Sequence, residues 1–181
     1  MKIIYLQIFF QIHNYFCIII LLYIIYYILY MDNKLLIILT FIVTALWDVV
    51  LRFMSLNYDK LPKYFQMDFV KDLIPYFKHH TILAAALIAG FVGATTQPII
   101  ISIMPFPRNI FNFTYVFKFM ILSFIISSLY GFIMKGSKLF PYLERYYYEP
   151  LGVARSMYTD GVSGLVVQAT LLFIYSVFKL S

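Results

Sequence analysis

Residues 81–104 read TILAAALIAGFVGATTQPIIISIM. The stretch holds no Asp, Glu, Lys or Arg. A helix needs about 20 predominantly apolar residues to cross roughly 30 Å of hydrocarbon, so this run predicts a transmembrane helix. Pro105 and Pro107 end it near Met104, because proline lacks the N–H that a continuing helix needs. Working outward, residues 3–30 are also uncharged, and residues 35–56 are apolar except for Asp48 and Arg52. Residues 114–134 form a shorter run in which the Lys118 ammonium snorkels to the interface. Residues 161–178 form the last run, closed by Lys179.

Five spans follow, in a single membrane domain over residues 1–181. The expected fold is an all-α polytopic transmembrane helix bundle. Composition agrees: 63% of the chain is hydrophobic and 12% charged, against roughly 45–50% and about 25% in soluble domains. That balance excludes a free-standing soluble domain and a disordered chain. A single cysteine excludes a disulfide scaffold. Residues 1–30 read as an uncleaved anchor. Lys2 is the only charge before the apolar run, which far exceeds the ~7–15 residues of a signal peptide. Met31-Asp32-Asn33-Lys34 also reads as a start of its own, in which case the spans number four.

The second span has to bear two charges. Its fourteen Leu, Ile, Val and Phe residues favour insertion by roughly 4 to 8 kcal/mol, and a central Asp and Arg oppose it by about 2.5 to 3.5 kcal/mol each. Insertion is therefore marginal for the segment alone and plausible within a bundle.

Basic residues set the orientation. With five spans, Lys2, Arg52, Lys60, Lys63, Lys71, Lys78, Lys135, Lys138, Arg145 and Arg155 fall on one face. Lys34, Arg108, Lys118 and Lys179 fall on the other. The positive-inside rule then places the N-terminus and both long loops, 57–80 and 135–160, on the cytoplasmic side and the C-terminus opposite. In the first loop, Asp68, Lys71, Asp72, Pro75 and His79 follow helical spacing beside Leu61, Phe65, Phe69, Leu73 and Tyr76. This predicts an interfacial amphipathic helix, bent near Pro75. The second loop mixes basic residues with Phe140, Tyr142, Tyr146, Tyr147 and Tyr148. In a membrane loop this pattern points to anionic lipid headgroups and the bilayer as partners, not to nucleic acid.

Chemistry-bearing constellations are few. Thr40, Thr44, Asp48 and Arg52 recur every four residues and share one stripe of their helix. The stripe is either a substrate or proton pathway or a structural Asp48–Arg52 ion pair, and the structural pair is the working expectation. Gln97-Pro98, preceded by Thr95 and Thr96, marks a candidate broken helix at a binding site, or a proline kink whose freed carbonyl takes a side-chain donor. Ala86, Gly90 and Ala94 repeat every four residues, as do Ala85, Ala89 and Gly93, and as do Ser123, Ser127 and Gly131. Such small-xxx-small stripes let helix backbones approach closely. Asp160, Gly164 and Gln168 share a face, with Asp160 placed as an N-cap of the last helix. His79-His80 lacks the company of a metal site, and the chain carries no phosphate-loop or dinucleotide-binding motif. No metal, cofactor or catalytic residue is expected, and the chain is read as non-enzymatic.

The whole chain, with its Ile/Tyr/Phe-rich spans and tyrosine-rich basic loop, resembles small multi-pass membrane proteins of giant (nucleocytoplasmic large) DNA viruses. The resemblance lies in overall character. It implies a place in a virion's internal membrane or in host membranes used for assembly, with other membrane or capsid proteins as partners. A structural or assembly role is the leading expectation. The alternatives are a small transporter or channel using the Asp/Arg stripe, and an accessory subunit of an organellar membrane complex.

Overall fold

The computed structural model describes residues 33–107, 110–137 and 149–178. The expected first span, the aromatic part of the 135–160 loop, and Lys138 and Arg145 lie outside the described residues. Residues 36–181 form one compact unit, and residues 1–35 cluster as another.

Every described element is helical. Helix α1 covers Lys34–Leu56. Two 3-10 turns, Tyr58–Lys60 and Lys63–Phe65, lead to the short helices α2 (Asp68–Asp72) and α3 (Ile74–His79). Helix α4 covers Ile82–Ile103 and α5 covers Phe113–Ser137. The short α6 (Glu149–Leu151) precedes α7 (Val153–Phe178). Four of these, α1, α4, α5 and α7, contain stretches long and apolar enough to cross a membrane.

Polar side chains share the interior of this bundle with an apolar core that includes Leu36, Ile100, Phe119 and Leu171. Thr40, Thr95, Thr96, Gln97, Ser123, Ser128, Thr159 and Gln168 are buried. Large apolar residues face outward in stripes: Ile38, Ile42, Leu46 and Phe53 on α1, and Phe117, Ile121, Ile125 and Leu129 on α5. Hydrocarbon accepts those stripes freely, whereas intramembrane polar groups must turn toward each other. The hydroxyls do so largely within their own helices. Thr40 Oγ1 donates to the Leu36 carbonyl (2.7 Å), Thr44 Oγ1 to Thr40 (2.6 Å), and Ser123 Oγ to Phe119 (2.8 Å).

Helix ends follow local chemistry. The Thr81 side chain caps α4 by accepting from the Ala84 N–H at 3.3 Å, and Asn112 Oδ1 accepts from the Tyr115 N–H at the start of α5. Gly152 adopts φ 75°, a left-handed conformation open to glycine at little cost, between α6 and α7.

Two expectations about helix extent are corrected. Helix α7 begins at Val153, so Asp160 sits two turns inside it and is not a cap. The Ser156 and Thr159 hydroxyls bond to the Gly152 and Arg155 carbonyls and continue the helix beyond the apolar run. The amphipathic helix expected over 61–80 is instead one 3-10 turn, Lys63–Phe65, and two short helices. Pro75 lies in the first turn of α3, where its missing N–H costs nothing. Leu73 and Tyr76 are buried as the periodicity suggests, but they pack with Phe77 and with Ala85 of α4. Ser55 Oγ ties α1 to this cap by donating to the Val70 carbonyl at 2.7 Å. Asp72, placed on the polar face, is buried and accepts from Arg155 Nε at 2.6 Å. That bond brings the 57–81 segment and the start of α7 to one end of the bundle.

Candidate functional site

Between α1, α4, α5 and α7 lies a cavity of about 430 Å³. Three residues of the predicted stripe line it: Thr40, Thr44 and Asp48. Gln97 comes from α4, Ser127, Tyr130 and Gly131 from α5, and Asp160, Gly164 and Gln168 from α7. Phe65, Met67, Phe69, Leu73 and Tyr76 from the cap segment also contribute to the lining. Most of the remaining wall is aliphatic.

Arg52 departs from the stripe. Asp48 and Arg52 form no salt bridge. The guanidinium instead donates from Nη1 to the His80 carbonyl at 2.7 Å and lies 5.9 Å from the Phe77 ring centroid. One turn of separation permits the pair, but the α3–α4 connection supplies a carbonyl and an aromatic face that hold the guanidinium at the helix end. Asp48 Oδ2 is buried without a hydrogen-bond partner.

The candidate broken helix is also corrected. Helix α4 runs unbroken from Ile82 to Ile103 with Pro98 inside it. Thr95 Oγ1 reaches the Phe91 carbonyl and Thr96 Oγ1 the Val92 carbonyl. These bonds satisfy the hydroxyls one turn back, within their own helix. Gln97, fully buried, accepts through Oε1 from Gln168 Nε2 of α7. Its own Nε2 and the Gln168 Oε1 are left without hydrogen-bond partners. Reversing both amides would preserve one bond and again leave one donor and one acceptor over.

The small-residue stripes divide by partner. On α5, Ser127 lies against Gly164 and Gly131 against the Asp160 carboxylate, while Phe124 and Ser128 meet Gly161. On α4, Gly90 faces the Phe41 ring and Gly93 faces Thr44, both of α1. Ala86 and Ala94 are half-buried beside them.

Several contributors escaped the sequence reading. Trp47 Nε1 donates to Thr170 Oγ1 at 2.8 Å, joining α1 to α7. Tyr130 Oη and Thr95 Oγ1 lie 2.6 Å apart, joining α5 to α4. A polar atom inside an apolar span was the available signal for both. At the cap, burial first and the Asp48 charge second push the Tyr76 hydroxyl above its ordinary pKa, so it remains an O–H. Burial, reinforced by the charge of Arg52, lowers the pKa of His80.

Compared with known protein families, curated proteins and solved structures, the chain matches none.

Proposed function

We propose that this is a multi-pass membrane protein that binds a small, largely apolar molecule in the cavity between its four long helices, as a transporter or carrier does. The observation that carries the reading is the cavity itself. Its volume of about 430 Å³ falls within the roughly 300–1,000 Å³ of small-molecule sites. Its wall combines apolar surface with a few convergent polar groups, as such sites do. Asp48, Gln97 and Gln168 each present a buried polar atom with no hydrogen-bond partner. Intramembrane polar groups of this kind characteristically mark solute paths.

A structural or assembly role in a viral or host membrane is the second reading. It draws on the outward apolar stripes of α1 and α5, which could meet other membrane proteins as well as lipid. Native mass spectrometry of the full chain, released from detergent, separates the two. The cavity reading expects a small-molecule adduct that is lost in Ala89→Phe, a variant that fills the lining, while the melting temperature is kept. A bare protein mass, or an adduct that survives the filling, returns the function to structure and assembly.

A further inference from the structure

We propose that the molecule held in the cavity carries a protonated amine, with the Asp48 carboxylate as its counter-ion. This rests on the cavity being a binding site, as proposed above. Two carboxylates, Asp48 and Asp160, belong to the lining, and no Lys, Arg or His does among the described residues. The one basic side chain within a turn of Asp48 is engaged elsewhere, since Arg52 bonds to the His80 carbonyl and lies by the Phe77 ring. Asp48 Oδ2 is thus buried in a membrane-spanning helix without a hydrogen bond. Arg52 attracts the carboxylate from one turn away but gives it no hydrogen bond, and a cationic guest supplies that donor together with a closer charge.

The rest of the wall suits an organic cation. Trp47, Tyr76 and Tyr130 offer aromatic faces to an ammonium group. A calcium or magnesium ion would need about six or more oxygen ligands, whereas the charged oxygens of the lining among the described residues are those of Asp48 and Asp160 alone. The Gln97–Gln168 pair is an independent pointer. Both side chains are almost wholly buried, both line the cavity, and together they present one spare amide donor and one spare acceptor. The guest is therefore an amphiphile: an apolar body, an ammonium at Asp48, and room for one neutral polar group at the glutamines.

Trp47 is the single tryptophan and lines the cavity, so its fluorescence reports occupancy in the intact protein. The probes are ω-bromoundecylamine, ω-bromoundecanol and ω-bromoundecanoate, one chain with three heads. Each is titrated into the full chain in neutral-lipid nanodiscs at neutral pH, and the saturable quenching is referred to probe concentration in the bilayer. The amine is expected to bind at least about tenfold more tightly than the alcohol, a difference of about 1.4 kcal/mol, with the carboxylate weakest. Asp48→Asn should remove the amine's advantage over the alcohol, and a melting temperature close to that of the unmodified protein shows that the variant is folded. Equal binding of amine and alcohol, or an amine preference that survives Asp48→Asn, overturns the amine assignment with the cavity reading intact. Quenching by all three probes that never saturates overturns the cavity reading itself.

Discussion

Helices α5 and α7 are the most closely packed pair of long helices, and they differ instructively from α1 and α4. Both pairs use small residues at four-residue spacing. In α5–α7, short side chains meet two of the glycines: Ser127 lies on Gly164, and Ser128 lies on Gly161 beside the Phe124 ring. The backbones can then approach until short side chains touch, which gains dispersion contacts that lipid cannot supply. In α1–α4, Gly93 meets Thr44, but the space left by Gly90 is taken by the Phe41 ring, which also packs edge-on against Phe91 at 5.8 Å. There the missing side chain admits a bulky neighbour. A small-xxx-small stripe therefore says that something fits close, and the residue opposite decides whether it is a backbone or a ring.

The sharpest way to break this comparison is to put the same large side chain on both sides. A Cβ at Gly164 would overlap Ser127 Oγ and lie 2.7 Å from Ser127 Cβ, with the Ser123 carbonyl at 3.6 Å. These short, backbone-anchored groups cannot move aside. Gly164→Leu should cost about 3 kcal/mol, the upper end for overpacking. A Cβ at Gly90 would meet the Phe41 ring at 2.8 Å, and Phe41 is only half-buried. Its ring can swing toward lipid, so Gly90→Leu should cost about 1 kcal/mol. Thermal unfolding in detergent measures both. If Gly90→Leu proves the more damaging, the ring is the rigid element and the assignment of tight and loose sides is reversed.

The next largest effect concerns Arg52. Were it the partner of Asp48, neutralising both residues would recover much of what Arg52→Gln loses. In the structure its hydrogen bond goes to the His80 carbonyl, which fastens α1 to the cap over the cavity. Arg52→Gln should therefore cost about 1.5 kcal/mol, as expected for a bond from a charged donor. The double variant Asp48→Asn with Arg52→Gln should lose somewhat less than the sum of the two single changes, because the charges attract across one helical turn. A double-mutant cycle tests this directly. A coupling above about 1 kcal/mol would show that the two side chains act as a pair despite their separate contacts.

The four long helices were legible in the sequence because the bilayer imposes a length and a composition that few other constraints mimic. The site was legible in pieces. Thr40, Thr44 and Asp48 could be placed on one stripe, and Gln168 on a face with Asp160, because helical spacing is local information. What was not legible depends on residues distant in sequence. Arg52 bonds twenty-eight positions away and Asp72 pairs eighty-three positions away, and a local period has no view of either competitor. Hydrophobicity also marks where a helix meets lipid, not where it starts, which is why Asp160 was mistaken for a cap. The cavity is the least legible feature of all. It is the space left by side chains from four helices and the cap, and no single segment encodes it.

The smallest expected effect probes the cap by pH. His80 is 8% exposed and its ring lies 4.4 Å from that of Tyr76. Burial in the folded protein depresses its pKa below the ordinary 6.5. As pH falls through 6.5, the unfolded chain therefore binds the proton before the folded one does. By linkage, the stability associated with a neutral His80 is present above that pH and is lost progressively toward the depressed folded value. This contribution lowers the melting temperature between about pH 7.5 and about pH 5, and His80→Gln should remove it, so that the melting temperature of the variant falls less, or rises more, over that window. The comparison with the unmodified protein isolates this one group, since every other titrating residue is common to both. Gly90→Leu, which disturbs the α1–α4 crossing away from the cap, should lower the melting temperature at every pH without changing the slope. An unaltered slope in His80→Gln would mean that the cap does not hold the imidazole away from water.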